Sequence, residues 1–171
     1  MRLKCVKGAK EIVESSPYLI LEPEKYKGKY KKLFNNDNPI YIEIGMGKGK
    51  FIIENAINNP NINYIGIEKY DSVIVRAVQK LSELELPNLK LIRIDAENIE
   101  DVFSKEIDRM YLNFSDPWSK TRHERRRLSS HEFLKRYDSI FKNTNHIIQK
   151  TDNRKLFEFS IMSYTSYGYK I

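Results

Sequence analysis

At 171 residues the chain has the length of one domain, and no apolar run approaches the ~20 residues needed to span a bilayer, so a membrane protein is not expected. Its single cysteine, Cys5, excludes an internal disulfide and a zinc cluster, and His123, His131 and His146 are too scattered for a metal site; a reducing cytoplasm fits, and the charged start has no apolar signal core. The net charge of +7 is uneven: residues 119–127 carry five Lys/Arg against one Glu, whereas residues 39–118 hold nine bases against thirteen acids, which suits an anionic partner meeting a defined face, though it also suits plain solubility.

Residues 1–38 read as an irregular basic arm, set apart from a domain at 39–171. Within the arm, KYKGKYKK (25–32) interleaves Tyr26 and Tyr30 with lysines. Such rings either stack on bases while the cations meet phosphates, or pack on the domain as a lid. Ile40 to Ile44 then reads as a buried strand running into Gly45-Met46-Gly47-Lys48-Gly49. A helix carrying Phe51, Ile52, Ala56 and Ile57 follows and closes at Asn58-Asn59-Pro60. The second strand is Tyr64 to Ile67, ending in Glu68. A helix from about Ser72 presents Val73, Ala77, Val78, Leu81 and Leu84. The third strand, Leu89 to Ile94, ends in Asp95, and a short helix spans about 99–103. Met110, Tyr111, Leu112 and Phe114 favour a fourth strand reaching Asp116. Ser129 and Glu132 have the spacing of a capping box, ahead of a helix with Phe133, Leu134, Tyr137, Ile140 and Phe141 on one face. A fifth strand around Ile147 ends in Lys150-Thr151-Asp152. The last helix holds Leu156, Phe157, Ile161 and Tyr164.

Strand and helix alternate five times, the pattern of a doubly wound, mostly parallel α/β sheet, which binds ligands outside the carboxyl ends of its strands. Gly45, Glu68, Asp95, Asp116 and Asp152 all fall at those ends. The glycines are neither a P-loop, since no Gly-Lys-Ser/Thr follows, nor the dinucleotide spacing, since the third comes one residue early. Glu68 is placed to accept from a ribose diol and Asp95 from an adenine amino group; both could instead cap helices. With Glu43 beside the turn, a pyrophosphate is disfavoured and a cationic group is favoured. An adenosine without phosphates but with a cationic tail is S-adenosylmethionine.

The segment 113–127, NFSDPWSKTRHERRR, supplies a carboxylate (Asp116) constrained by Pro117, a flat ring (Trp118) and a cationic run. Read alone, it is a turn and a solvated basic loop. Together with IEIGMGKGKF (42–51), NYIGIEKYDSVIVRAVQKL (63–81), NLKLIRIDAENIEDVF (88–103) and KTDNRKLFEFS (150–160), it resembles the bacterial tRNA (guanine-N7-)-methyltransferases from Tyr26 onward. The resemblance implies a class I (Rossmann-like) methyltransferase fold acting on a guanine in the variable loop of tRNA, as a monomer or homodimer. It implies S-adenosylmethionine bound by Glu43, Gly45, Gly47, Glu68, Asp95 and Asp116. Asp116 would also be the catalytic residue, Lys120 and Asp152 would touch the substrate guanosine, and Arg122, His123, Glu124, Arg125, Arg126 and Arg127 would face RNA. Three features depart from the family: Ser119 stands where proline is usual, residues 4–8 replace a Lys-Pro-Trp-like stretch, and the chain stops at Ile171, before a Thr-x-x-Glu motif and the last strands. A shortened form or fragment without those edge strands is therefore expected.

Guanine N7 has an in-plane lone pair and no hydrogen, so methylation is an in-line displacement without a general base. The site's work is alignment, worth ~7–11 kcal/mol, and stabilisation of the positive charge appearing on the ring. Trp118 either stacks on the base or packs beneath the loop. Rival readings are a methyltransferase for exocyclic amines, a non-catalytic tRNA-binding remnant and, third, an NAD-type oxidoreductase.

Overall fold

A computed structural model describes residues 6–171; Cys5, with Arg2 and Lys4, lies outside the described residues. Apolar runs form five strands, β1 (Ile40–Ile44), β2 (Asn63–Glu68), β3 (Leu89–Arg93), β4 (Arg109–Asn113) and β5 (Ile147–Lys150). They pair in the order β3-β2-β1-β4-β5, every pair parallel. β1 and β2 are nearly continuous in burial because helices cover both faces of the sheet. The order reverses between β1 and β4, and all five carboxyl ends share one rim.

One face packs against α3 (Lys50–Asn58) and α4 (Asp71–Leu81) through Ile52, Ile53, Ala56, Ile74, Val78 and Leu81. The other carries α5 (Ile99–Val102) and α6 (His131–Asp138), whose Phe133, Leu134 and Tyr137 bury against Ile42, Ile44, Met110 and Leu112. Leu84 lies beyond the end of α4 and is exposed, against expectation. The cap of α6 is Ser130, whose hydroxyl accepts the Phe133 N–H at 3.5 Å. The capping box expected at Ser129 thus shifts by one residue, because the buried Ser129 hydroxyl is taken by Ser160 across the core at 2.7 Å. On α7 (Arg154–Tyr167) Leu156 is buried and Tyr164 half-buried, but Phe157 and Ile161 face outward.

The N-terminal segment is ordered, not irregular, from residue 6. Helix α1 (Ala9–Glu14) lies on α4, and Arg93 joins Glu14 (2.8 Å) to Asp71 (2.7 Å). The following residues run along the outer edge of β3: the Leu91 N–H donates to the Tyr18 carbonyl and the Ile20 N–H to the Leu91 carbonyl. That contact covers one sheet edge, leaving β5 as the other. In α2 (Tyr30–Phe34) Tyr30 is fully buried, 4.9 Å from the Phe103 ring, and donates to the Pro23 carbonyl. Tyr26 is half-buried against the same cluster. Of the two roles open to these tyrosines, packing is the one observed, and Tyr30 has no face for a base.

Candidate active site

The first piece of the site is the glycine turn after β1. Gly45, Gly47 and Gly49 all have positive φ, and a Cβ at Gly49 would come within 2.9 Å of the Ala77 Cβ, so only glycine both turns there and lets α3 approach α4. The turn is tied to β2 by Glu68: its Oε2 accepts the Gly47 N–H at 3.2 Å and its Oε1 the Lys69 N–H at 2.9 Å. Asp95, after β3, accepts the Glu97 N–H at 3.0 Å and pairs with the Lys69 ammonium at 3.2 Å. Asp95 therefore does cap a helical turn, one of its two expected roles, while still facing the cavity. Burial raises its pKa, but the Glu97 N–H and Lys69 outweigh that and hold it below the ordinary carboxylate value.

The second piece is the loop after β4. The strand ends at Asn113, three residues before Asp116 and not at Asp116 as β-propensity suggested. Phe114 donates its N–H to the Lys150 carbonyl and turns left-handed at φ 53°, ring outward. Trp118 is left-handed too, at φ 45°. Exposed Asp116 thus sits between two strained non-glycine residues, the kind of backbone that persists only where surroundings over-determine it.

Arg127 supplies much of that determination. It is buried, its Nε donates to the Pro117 carbonyl at 2.9 Å and its Nη2 to the Trp118 carbonyl at 3.1 Å. Its guanidinium also lies 4.4 Å from the Phe159 ring of α7 and 3.5 Å from Glu124. This corrects the expectation that Arg127 faces RNA: the fork is spent inside the protein. Arg122 and Arg125 are exposed, in and around the 3-10 turn Thr121–Arg126. Arg126 lies 5.1 Å over the Trp118 ring, whose edge meets His123 at 5.8 Å. Burial, together with Arg126, Arg122 and Lys120, holds His123 below its ordinary pKa, so it adds no charge to the run at neutral pH.

Gly45, Glu68, Asp95 and Asp116 line one cavity of about 420 Å³ at the switch point, with Trp118 and Arg126 on its rim and Ile44, Ile67 and Phe133 as apolar walls. Gly47 is not in the lining but donates its N–H to Glu68, which is. Lys120 and Asp152 are exposed and lie outside its lining, as do Arg122, His123, Glu124, Arg125 and Arg127.

Glu43, expected at the cofactor, is 2% exposed and lies outside that lining. Burial pushes its carboxyl up to about 7; the Asn113 amide, donating to Oε1 at 3.0 Å, lowers it and the Glu68 charge raises it. Among the described residues its Oε2 has no partner, and neither do the buried Asn113 Oδ1 and Ser115 Oγ. Sequence reasoning missed Asn113 and Ser115. The signal for Asn113 was a polar residue closing an apolar strand, two positions after Tyr111, the residue in register with Glu43.

A family model described as a putative methyltransferase matches residues 37–170. The tRNA (guanine-N(7)-)-methyltransferase of Lachnoclostridium phytofermentans is 52% identical over all of this chain and 80% of its own length. The enzymes of the same name from Bacillus subtilis (52%, covering 92% of this chain and 74% of that one) and Streptococcus pneumoniae (48%, 100% and 82%) are similar. Among solved structures, an antibiotic-related methyltransferase superposes with a TM-score of 0.64 at 19% identity, covering 84% of this chain and 75% of that one. A 16S rRNA (adenine(1408)-N(1))-methyltransferase from Catenulisporales acidiphilia, solved with SAM, gives 0.59 at 14%, covering 75% and 62%. At those identities the structural likeness establishes the class I fold.

Proposed function

Since this chain belongs to the tRNA (guanine-N7-)-methyltransferase family, we propose that it methylates a guanine in the variable loop of tRNA, in the cytoplasm, with S-adenosylmethionine in the switch-point cavity. The observation that carries the assignment is the gathering of Gly45, Glu68, Asp95 and Asp116 around one cavity. The buried Oε2 of Glu43, lacking any donor, suits the ammonium of the donor's amino-acid end, and the open glycine turn suits its backbone. Both Glu68 oxygens are held by backbone N–H groups, which fixes the carboxylate toward a ribose diol. Asp95, oriented by Lys69 and Glu97, faces the adenine.

When bound, S-adenosylmethionine supplies an electrophilic methyl group. Guanine N7 needs no base to expose its lone pair: an N–C bond forms, the C–S bond breaks with its electron pair going to sulfur, and no proton moves. Asp116, at the cavity edge, accepts from the guanine N1–H and exocyclic amine, and its charge opposes the positive charge that develops on the purine. Asp152 and Lys120 flank the entering nucleoside on the rim. Arg122 and Arg125 meet tRNA phosphates, with Arg126 between the RNA and Trp118. The target base leaves its stack to reach the cavity. A titration with S-adenosylmethionine read by Trp118 fluorescence tests the cofactor site: saturable change supports it, and an unresponsive Trp118 with no calorimetric heat contradicts it. Aniline cleavage after borohydride treatment of the product tRNA maps the methylated position.

A further inference from the structure

Two aromatic residues flank Asp116 in the chain, Phe114 and Trp118, and both border the cavity. Trp118 is already engaged: the Arg126 guanidinium lies 5.1 Å over its ring and His123 meets its edge at 5.8 Å. Phe114 is 65% exposed. Of the large apolar side chains that face outward among the described residues, only Tyr70 and Phe114 line the cavity. Tyr70 follows β2, on the side of Glu68, and Phe114 follows β4, on the side of Asp116.

The exposure of Phe114 is imposed by its backbone. Met110 and Leu112 belong to the face of β4 that buries against α6, and an extended residue 114 would continue that series into the core. Instead its φ is 53°, a conformation disfavoured for a bulky side chain, and the Lys150 carbonyl holds its N–H at 2.8 Å. A strained backbone and an apolar ring in water thus occur together at one residue on the cavity edge, and a flat partner covering the ring offsets both. A nucleobase is such a partner: it offers a π face to the ring and, in its own plane, donors to the carboxylate two residues on.

We infer that Phe114 is the platform on which the target guanine stacks once it has left the RNA, and that Trp118, covered by Arg126, is not. The inference rests on the guanine-N7 reading of the site and adds the residue that orients the base. Stacking on Phe114 fixes the plane of the purine, and Asp116 fixes its rotation within that plane.

The test couples the ring to the base. Wild type, Phe114→Gly and Phe114→Leu are titrated with tRNA and with the same tRNA carrying an abasic nucleotide at the methylated position. Glycine keeps the left-handed turn and removes the ring; leucine keeps apolar bulk without a π face. Stacking one base on an aromatic side chain changes affinity by roughly ten- to a hundredfold. Intact tRNA should bind Phe114→Gly more weakly by that order and Phe114→Leu by a smaller factor, and both losses should vanish on the abasic tRNA. Phe114→Tyr, which keeps the face, should restore most of the affinity. S-adenosylmethionine affinity should stay within a small factor and Trp118 emission should hold, since neither the donor nor the Arg127 fork uses the ring. A loss of equal size on both tRNAs, or on neither, overturns the inference. So does weakened S-adenosylmethionine binding without loss on intact tRNA, which would give the ring to the donor. Should Trp118 emission move in Phe114→Gly, the comparison passes to Phe114→Leu, whose backbone is as constrained as that of phenylalanine. A wild type whose labelled product is not 7-methylguanosine removes the guanine-N7 reading instead, and the coupling at the abasic position still decides whether Phe114 stacks on the methylated base.

Discussion

Replacing Arg127 separates the two jobs hidden in one basic run. Its guanidinium donates to the Pro117 and Trp118 carbonyls from a buried position, its side chain only 8% exposed. Hydrogen bonds from a charged donor contribute ~1.5–3 kcal/mol each, so the pair stabilises the loop by roughly 3–6 kcal/mol. Against this stand two left-handed residues, Phe114 and Trp118, at about 1–2 kcal/mol each. The balance favours the ordered loop by a small margin, and removing the fork reverses it. Arg127→Ala should therefore release the loop and displace Asp116. A displacement of ~1 Å at a reacting centre costs on the order of a hundredfold in rate, which should appear in kcat. Arg127→Lys should recover little, because an ammonium does not fork across two carbonyls. Trp118 is the only tryptophan in the chain, so its emission reports this loop directly and should move to the red. The salt slope of tRNA binding should stay at the wild-type value, since Arg127 meets no phosphate. Unchanged Trp118 emission with normal kcat, or a shallower salt slope, would refute the assignment.

Arg122→Ala with Arg125→Ala should do the opposite: tRNA binding weakens and its salt slope falls by roughly one per residue, with Trp118 emission kept, as filter binding across a salt series would show. Asp116→Ala should abolish methyl transfer yet leave S-adenosylmethionine affinity within a small factor; lost cofactor binding would mean that Asp116 serves the donor and not the base. Glu43→Gln should stabilise the ligand-free protein at alkaline pH. The folded carboxyl at about 7 lies above its ordinary 4.5, so its stabilising effect is full below 4.5 and is lost as pH rises to 7. The loss is about 3 kcal/mol at 1.36 kcal/mol per unit. Urea melts at pH 5 and pH 8 should give wild-type and variant curves that diverge by an amount of that order; parallel curves would show that Glu43 titrates normally.

Most of the sheet was legible in the sequence because buried parallel strands are short apolar runs with acids and glycines at their ends. Gly45, Glu68, Asp95 and Asp116 could be placed on one rim from that pattern alone. The failures have local causes. Phe114 is a β-favouring residue by type, but its N–H is captured by Lys150 and its backbone turns left-handed, so β4 stops early. Ser129 and Ser130 are equivalent as caps in sequence, and only the contact with Ser160 separates them. The helices α1 and α2 have six and five residues, too few to show a period, and are held by Arg93, β3 and the core. Arg127 could not be told from Arg125 and Arg126, since charge in a sequence carries no burial. Asn113 and Ser115 are neutral and common, and only the fold shows that the Asn113 amide holds Glu43 and that each has a buried polar atom without a partner among the described residues.

The most direct measurement is incubation of the protein with methyl-labelled S-adenosylmethionine and bulk tRNA, followed by nucleoside analysis of the product. Label should appear in 7-methylguanosine, at a variable-loop position that borohydride and aniline cleave, and Asp116→Ala should give none. Label in an N-methylamino base, or tRNA that binds but stays unmethylated, would contradict the placement of a guanine N7 against the donor methyl at this strand-end rim.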